Sequence, residues 1–158
     1  MATVLKNLSD HSISDLPDCS GYKFGIVVAE WNTEVTGALL EGAVEVLKAK
    51  GVADANILIV TVPGTFELAL GAQKLAEQAA IDAVITLGCV IQGETRHFDF
   101  ICDAAANGIM QVGLKYNKPV IFGVLTTDNQ EQALDRAGGK HGNKGVEAAV
   151  TAIKMLNL

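Results

Sequence analysis

Four continuous apolar runs, separated by segments of helical period, restrict the fold of this 158-residue chain more than any other feature. The runs occupy residues 22–29, 56–62, 81–88 and 119–127, and each has the length of a strand. A strand that is apolar on both faces is typical of a parallel sheet with helices on both sides. Because crossovers between parallel strands are right-handed, few topologies remain. The sequence therefore predicts an α/β fold: a flavodoxin-like, three-layer α/β/α sandwich around a four-stranded parallel sheet.

The segments between and after these runs predict five helices. They lie at about 33–50, 65–79, 98–112, 129–136 and 146–156, and the glycine-rich stretch 138–145 is predicted to be a turn. Thr65 follows Pro63-Gly64 and is a predicted helix N-cap. The length of the chain suits one domain. We expect this single domain to span residues 21–158, after a polar N-terminal arm over residues 1–20.

Composition and charge narrow the possible functions. Hydrophobic residues make up 49% of the chain and charged residues 19%, which supplies a core and argues against disorder. No apolar run reaches the roughly 18 residues of a membrane span, and the first residues lack the pattern of a secretory signal. The formal net charge of −6 gives no basic surface for nucleic acid. Three cysteines without paired spacing indicate a reducing, cytoplasmic compartment.

Unusual residues follow the first two predicted strands. Ligands of open parallel sheets bind at the carboxyl ends of the strands, so these loops are candidate sites. Trp31 is the only tryptophan, and it is either a packing residue or a flat platform for a planar ring. Phe66 and Glu67 follow the second strand. Glu67 is either a first-turn acid favoured by the helix dipole or a ligand for a polyol.

The third strand leads into GCVIQGETRHFDF, residues 88–100. Gly93, Glu94 and Thr95 come to a predicted helix start, where unpaired backbone N–H groups bind anions. Gly93 permits close approach of a ligand to the backbone. His97 falls in the first helical turn, and it is either a surface residue or a proton-transfer group. The motif predicts an anion site, with the role of His97 left open.

A basic cluster lies near the end of the chain, in LDRAGGKHGNKG. It contains Arg136, Lys140, His141 and Lys144. Such residues either complement a helix C-terminus or offer a positive site in an acidic protein. The sequence contains no Walker loop, no GxGxxG, no zinc-ligand spacing and no GxSxG, so these patterns predict no metal and no specific reaction.

Five motifs in order resemble one known family, the 6,7-dimethyl-8-ribityllumazine synthases of riboflavin biosynthesis. The motifs are GIVVAEWN, VPGTFE, LGCVIQGETRHFDF, PVIFGVLTT and RAGGKHGNKG, and the resemblance runs from about residue 21 to the end. The family condenses 5-amino-6-(D-ribitylamino)uracil with 3,4-dihydroxy-2-butanone 4-phosphate through an imine, with loss of phosphate and then water. The resemblance implies that this chain needs no cofactor and no metal.

The resemblance also implies roles for individual residues. Trp31 would stack on the pyrimidine, and His97 would transfer protons. The backbone amides of Glu94 and Thr95 would hold the phosphate, with Arg136 as countercharge. The remaining residues implied to contact the ribitylaminouracil are Thr65, Phe66, Glu67, Cys89, Val90, Ile91, Phe122 and Lys140. Phe122 and Arg136 would come from a neighbouring subunit, because the family's sites lie between subunits of a pentamer.

Two positions depart from the family's usual pattern. Trp31 stands where many members have phenylalanine, which implies a preference for flavin-like ligands. Gln92 stands where many have arginine, which removes a positive charge beside the phosphate loop. Residues 138–145 lack the insertion associated with members that stop at pentamers, so a 60-subunit shell is expected, with riboflavin synthase as a candidate partner. Two alternatives stay open: a non-catalytic flavin-binding module, and a shell protein on the same fold.

Overall fold

A computed structural model describes residues 15–158. Four strands form one sheet in the order β2-β1-β3-β4, and every pairing is parallel. The strands are β1 (Phe24–Ala29), β2 (Ile57–Val62), β3 (Ala83–Ile91) and β4 (Val120–Thr127). The helices are α1 (Thr33–Ala49), α2 (Leu68–Ala76), α3 (His97–Tyr116), α4 (Gln130–Leu134) and α5 (Lys144–Leu156). The predicted α/β class with a four-stranded parallel sheet is confirmed.

Alternate residues of β1 bury their side chains in two different cores. Phe24, Ile26 and Val28 pack with α1 and α5 on one face of the sheet. Val27 and Ala29 pack with α2 and α3 on the other face. Successive side chains of a strand point to opposite faces, so the continuous apolar run of β1 supplies both cores and gives the three-layer sandwich.

Several predicted boundaries differ from the structure: α3, predicted to end near residue 112, continues to Tyr116, and the ends of β3 and α2 differ as well. β3 continues to Ile91 instead of ending at residue 88, because β4 pairs with it as far as Ile91 and Thr127. Helix α2 ends at Ala76 instead of residue 79. Lys118 Nζ donates to the carbonyl oxygens of Ala76 at 3.0 Å and Gln78 at 2.8 Å, which satisfies groups that are left unpaired at a helix end.

The predicted N-cap role of Thr65 is wrong. Thr65 lies in a 3-10 turn, Thr65–Glu67, that precedes α2, and no side chain caps that turn or α2. Its side chain is buried against β3 instead, where a Cβ added to Gly88 would lie 2.9 Å from Thr65 Oγ1. The close approach of the turn to Gly88 turns the hydroxyl away from the helix start.

The stretch predicted to be a turn is a short hairpin that ends in a helix cap. β5 (Ala137–Gly139) pairs antiparallel with β6 (Gly142–Asn143), and Gly138 and Gly142 have φ of 114° and 75°. Asn143 Oδ1 accepts from the N–H of Gly145 at 2.8 Å, while its Nδ2 donates to Ala38 O at 2.9 Å. This asparagine therefore starts α5 and ties it to α1.

The predicted N-terminal arm is only partly described. Residues 1–14 lie outside the described part of the chain. Leu16 and Cys19 are buried in the α1–α5 core, and Cys19 N donates to Lys50 O at 2.8 Å. The arm boundary at residue 20 stays a prediction. Within residues 15–158, no helix is both long and apolar enough to cross a membrane.

Candidate functional site

A cleft of about 700 Å³ opens where β1 and β3 end. Its lining comes from the loops after β1 and β2, the last residues of β3, and the first turns of α3. The lining residues are Trp31, Asn32, Gly64, Thr65, Phe66, Glu67, Cys89, Val90, Ile91, His97 and Ile101. The fold thus brings together the predicted residues of the first two loops, the end of β3 and His97.

Trp31 forms one side of the cleft and is 73% exposed, so it does not serve as a packing residue within this chain. The next residue, Asn32, holds the loop in place. Asn32 has a left-handed backbone, with φ of 60°, and its Nδ2 donates to Cys89 O at 2.9 Å. Asparagine tolerates this conformation better than most residues. The bond joins the β1–α1 loop to the end of β3.

The turn after β2 forms another side of the cleft, next to Trp31. Phe66 is 57% exposed although it is aromatic, so its ring is available to a ligand. The Glu67 carboxylate makes no hydrogen bond or ion pair with any residue of the described range. It lies near the backbone of Gly64, since a Cβ added there would be 3.1 Å from Glu67 Oε2. This side of the cleft offers an aromatic face and an unpaired carboxylate.

Cys89, near the end of β3, also lines the cleft and is 2% exposed. Burial raises the pKa of its thiol to about 11. The thiol therefore stays neutral at physiological pH, and a neutral thiol is a poor nucleophile. Val90 and Ile91, both partly buried, continue the lining. The end of β3 gives the cleft an apolar surface suited to a flat ring.

The loop between β3 and α3 presents backbone donors beside the cleft. Helix α3 begins at His97, and Glu94 and Thr95 are exposed in the loop before it. His97 N donates a long bond of 3.4 Å to Thr95 Oγ1. The N–H groups of Glu94, Thr95 and Arg96 have no acceptor among the described residues. Unpaired amides at the positive end of a helix dipole are suited to bind an anion.

Phe122 and Arg136 do not reach the cleft of their own chain. They lie in a groove of about 1070 Å³ that follows the free edge of β4 between α3 and α5, called the β4-edge groove here. Arg136 Nη1 donates to Gln132 O at 2.9 Å. In the same groove Lys144 Nζ pairs with both Glu147 oxygens at 2.7 Å, and both side chains are largely buried.

Lys140 borders neither the cleft nor the β4-edge groove. Its Nζ pairs with Asp135 Oδ2 at 2.7 Å, and this hydrogen bond raises the pKa of the lysine.

Three cleft residues were missed by the sequence patterns: Asn32, Gly64 and Ile101. Ile101 could have been found, because it lies one helical turn after His97 on the same face of α3.

No group of three or more His, Cys, Asp or Glu side chains within residues 15–158 is arranged to hold a metal. The cleft chemistry thus consists of two aromatic rings, an unpaired carboxylate, an imidazole and nearby backbone donors. A planar, polyhydroxylated ligand fits the first two groups, and an anionic one fits the donors.

Comparison with known proteins agrees with this geometry. The sequence profile of the 6,7-dimethyl-8-ribityllumazine synthase family matches residues 21–158. The chain is 67% identical over 156 residues to 6,7-dimethyl-8-ribityllumazine synthase of Cytophaga hutchinsonii, covering 99% of this chain and 98% of that one. It is 54% identical to the protein of that name in Parabacteroides distasonis, with the same two shares covered. The chain therefore belongs to the 6,7-dimethyl-8-ribityllumazine synthase family.

Proposed function

We propose that this chain is a transferase that condenses 5-amino-6-(D-ribitylamino)uracil with 3,4-dihydroxy-2-butanone 4-phosphate. The products are 6,7-dimethyl-8-ribityllumazine, phosphate and water, in a step of riboflavin biosynthesis. The observation that carries the proposal is the cleft at the ends of β1 and β3, where an exposed Trp31 and an unpaired Glu67 carboxylate lie together with His97. Family membership over residues 21–158 supports it independently.

The ribitylaminouracil binds in the cleft with its ring on Trp31. The exposed indole supplies a stacking face, and the apolar end of β3 contacts the ring edge. Hydroxyl groups of the ribityl chain donate to the Glu67 carboxylate, which otherwise has no partner within the described chain. Thr65 and Phe66 complete this side. A charge-assisted hydrogen bond of this type is stronger than a neutral one.

The phosphate of the second substrate binds at the start of α3. The amides of Glu94 and Thr95 donate to it, because they have no acceptor within the described residues. Anions at a helix N-terminus are favoured by both the donors and the dipole. The butanone carbons then lie next to the amine of the uracil, close to His97. His97 transfers protons during imine formation and phosphate elimination.

Positioning contributes more to this reaction than proton transfer. General acid–base catalysis supplies about 10²–10⁴-fold, or roughly 3–5 kcal/mol. Holding two reactants in attack geometry supplies roughly 7–11 kcal/mol. The cleft and the phosphate loop should therefore account for most of the acceleration, with His97 adding to it.

A neighbouring subunit supplies Phe122 and Arg136. Both lie in the β4-edge groove of their own chain, away from the cleft, so they can contact a substrate only in another copy. Exposed apolar residues on both edge strands, among them Leu58, Ile59 and Phe122, support contacts between copies. We propose pentamers, assembled into a 60-subunit shell. Lys140 lies in the turn between β5 and β6, four residues after Arg136, and would reach the site in the assembly.

The cytoplasm is the compartment we propose, since all three cysteines are free thiols. The boundary at residue 20 between an N-terminal arm and a single domain stays a prediction, and so does an interaction with riboflavin synthase. Light scattering tests the assembly directly. A particle of pentamer mass would refute the shell, and a monomer would refute the shared site as well.

One experiment tests the proposed reaction. The purified chain is mixed with both substrates while lumazine fluorescence and phosphate release are followed together. Equal amounts of lumazine and phosphate are expected above the uncatalysed background. The matched control omits one substrate at a time. Tight binding of riboflavin with no turnover would replace the proposal with a non-catalytic flavin-binding module, and a shell without either would leave a structural protein.

A further inference from the structure

Gln92 connects the end of β3 to the loop that precedes α3. Its backbone N–H donates to Thr127 O at 2.8 Å, so the residue is fixed to the last residue of β4. Thr127 is itself buried, and its Oγ1 donates to Asn129 O at 3.0 Å. The Gln92 side chain therefore extends from an anchored backbone, although it is exposed.

The side-chain amide of Gln92 holds two carbonyl groups of this loop. Its Nε2 donates to Gly93 O at 2.8 Å and, over a longer 3.5 Å, to Thr95 O. A Cβ added to Gly93 would meet nothing within 4 Å, and its φ is not positive, so the fold alone does not require glycine there. Packing around Gly93 thus does not hold the loop backbone, whereas the Gln92 side chain bonds two of its carbonyl oxygens.

Because the peptide group is planar, these two bonds also fix the direction of the backbone N–H groups that follow Gly93 and Thr95. The peptide bonds of this loop are trans, and in a planar trans peptide the C=O and the following N–H point in opposite directions. Because Gly93 O points to the Gln92 amide, the N–H of Glu94 points away from it. The same holds for Thr95 O and the N–H of Arg96. Neither N–H has an acceptor within the described chain.

We propose that Gln92 is a positioning residue for recognition of the phosphate substrate. Its amide turns the carbonyl oxygens of Gly93 and Thr95 away from the anion and presents the N–H groups of Glu94 and Arg96 to it. A carbonyl oxygen that faces a phosphate repels it, whereas an N–H group attracts it. Turning the carbonyl oxygens away therefore removes a repulsion and adds an attraction. This inference rests on the proposed phosphate site at the start of α3, and it adds Arg96 N–H as a donor.

The test replaces Gln92 by methionine, which has similar length, no charge and no N–H donor. Gln92→Met should raise KM for 3,4-dihydroxy-2-butanone 4-phosphate about 3- to 10-fold, the effect of losing roughly one exposed hydrogen bond. The inhibition constant of inorganic phosphate should rise by the same factor. KM for the ribitylaminouracil should stay unchanged. Gln111→Met, at an exposed position of α3, is the matched control and should change none of these constants.

A second variant separates the donor from a general effect on folding. Gln92→Arg keeps N–H donors at this position and should bind the phosphate substrate as well as the parent or better. Equal rises in both KM values for Gln92→Met, or a KM for Gln92→Arg as high as for Gln92→Met, would overturn the inference. Where Gln92→Met does not fold, a KM of Gln92→Arg for the phosphate substrate about 3- to 10-fold above that of the parent overturns the inference.

Arg136→Ala distinguishes the inference from the site on which it rests. A higher KM for the phosphate substrate in Arg136→Ala, with no change in Gln92→Met, would refute the role of Gln92 alone. No change in either variant, with inorganic phosphate failing to compete, would refute the phosphate site as well.

Discussion

Replacing Gly145 by alanine should separate α1 from α5 and destabilise the protein. A Cβ at Gly145 would lie 1.8 Å from Leu39 O, whereas real Cβ atoms essentially never come closer than 3.0 Å. The two helices must therefore move apart by at least 1.2 Å at this point. The atom in the way is backbone, so no side-chain rotation relieves the contact.

The magnitude follows from two contributions. Overpacking of a close contact costs about 1–3 kcal/mol. The same separation lengthens the bond from Asn143 Nδ2 to Ala38 O, now 2.9 Å, and losing it costs about 1 kcal/mol. A loss of roughly 2–4 kcal/mol lowers the midpoint of thermal unfolding by about 4–16 °C for a chain of this size. Lys144 N also donates to Arg136 O at 2.9 Å, so KM for the phosphate substrate should rise too.

The assay is thermal unfolding followed by circular dichroism at matched protein concentration, since assembly makes the midpoint concentration-dependent. Gly37→Ala is the matched control, because Gly37 lies in α1 and a Cβ there meets nothing within 4 Å. That change should stabilise the helix by about 0.5–1 kcal/mol. A Gly145→Ala midpoint within 2 °C of the parent would refute the steric reasoning, and so would a Gly37→Ala midpoint that falls as far.

Three further predictions concern the site. His97→Ala should lower kcat about 10²-fold and leave measurable turnover by lumazine fluorescence; complete loss in a folded variant would contradict the dominance of positioning. Arg136→Ala should lower kcat/KM more than His97→Ala does, mainly through a higher KM for the phosphate substrate. Arg136→Lys should restore only part of the lost kcat/KM, because lysine lacks the fork geometry of the guanidinium. Steady-state constants of Arg136→Ala equal to those of the parent would show that Arg136 does not contribute to the site. Burial raises the pKa of Cys89 to about 11, so the unfolded chain loses its thiol proton first and stability should fall from about pH 9 to about pH 11. Cys89→Ala should lose less stability than the parent between about pH 8 and about pH 10.5 in urea unfolding, and equal losses would refute the assignment.

The sequence was sufficient for the order of elements and the class of sheet. Apolar runs buried on both faces and amphipathic segments between them are local patterns, and a parallel sheet is the arrangement that buries both. The same reasoning led to the carboxyl ends of the strands, where Trp31, Phe66 and His97 meet in one cleft. These features follow from the hydrophobic periodicity of each segment and from the order of the segments along the chain.

Roles for the residues of that cleft could be assigned only from the resemblance of five motifs to one family. Each motif by itself left more than one role open for its residues. Trp31 alone could have been a packing residue, and its 73% exposure decides against that within this chain. Thr65 had the position of an N-cap, yet packing against Gly88 turns it inward. A capping signal is read from neighbours in sequence, whereas the contact that overrides it lies more than twenty residues away.

The sequence by itself determined the order of strands and helices, and the end of the sheet at which the candidate site lies. Only the tertiary structure decided how that end is organised. Asn32 bonds to Cys89, Gln92 holds the loop before α3, and Arg136 lies in a groove apart from the cleft of its own chain. The physical reason is range. Hydrophobic periodicity acts within one element, while hydrogen bonds and steric contacts between distant residues are fixed only when the elements pack.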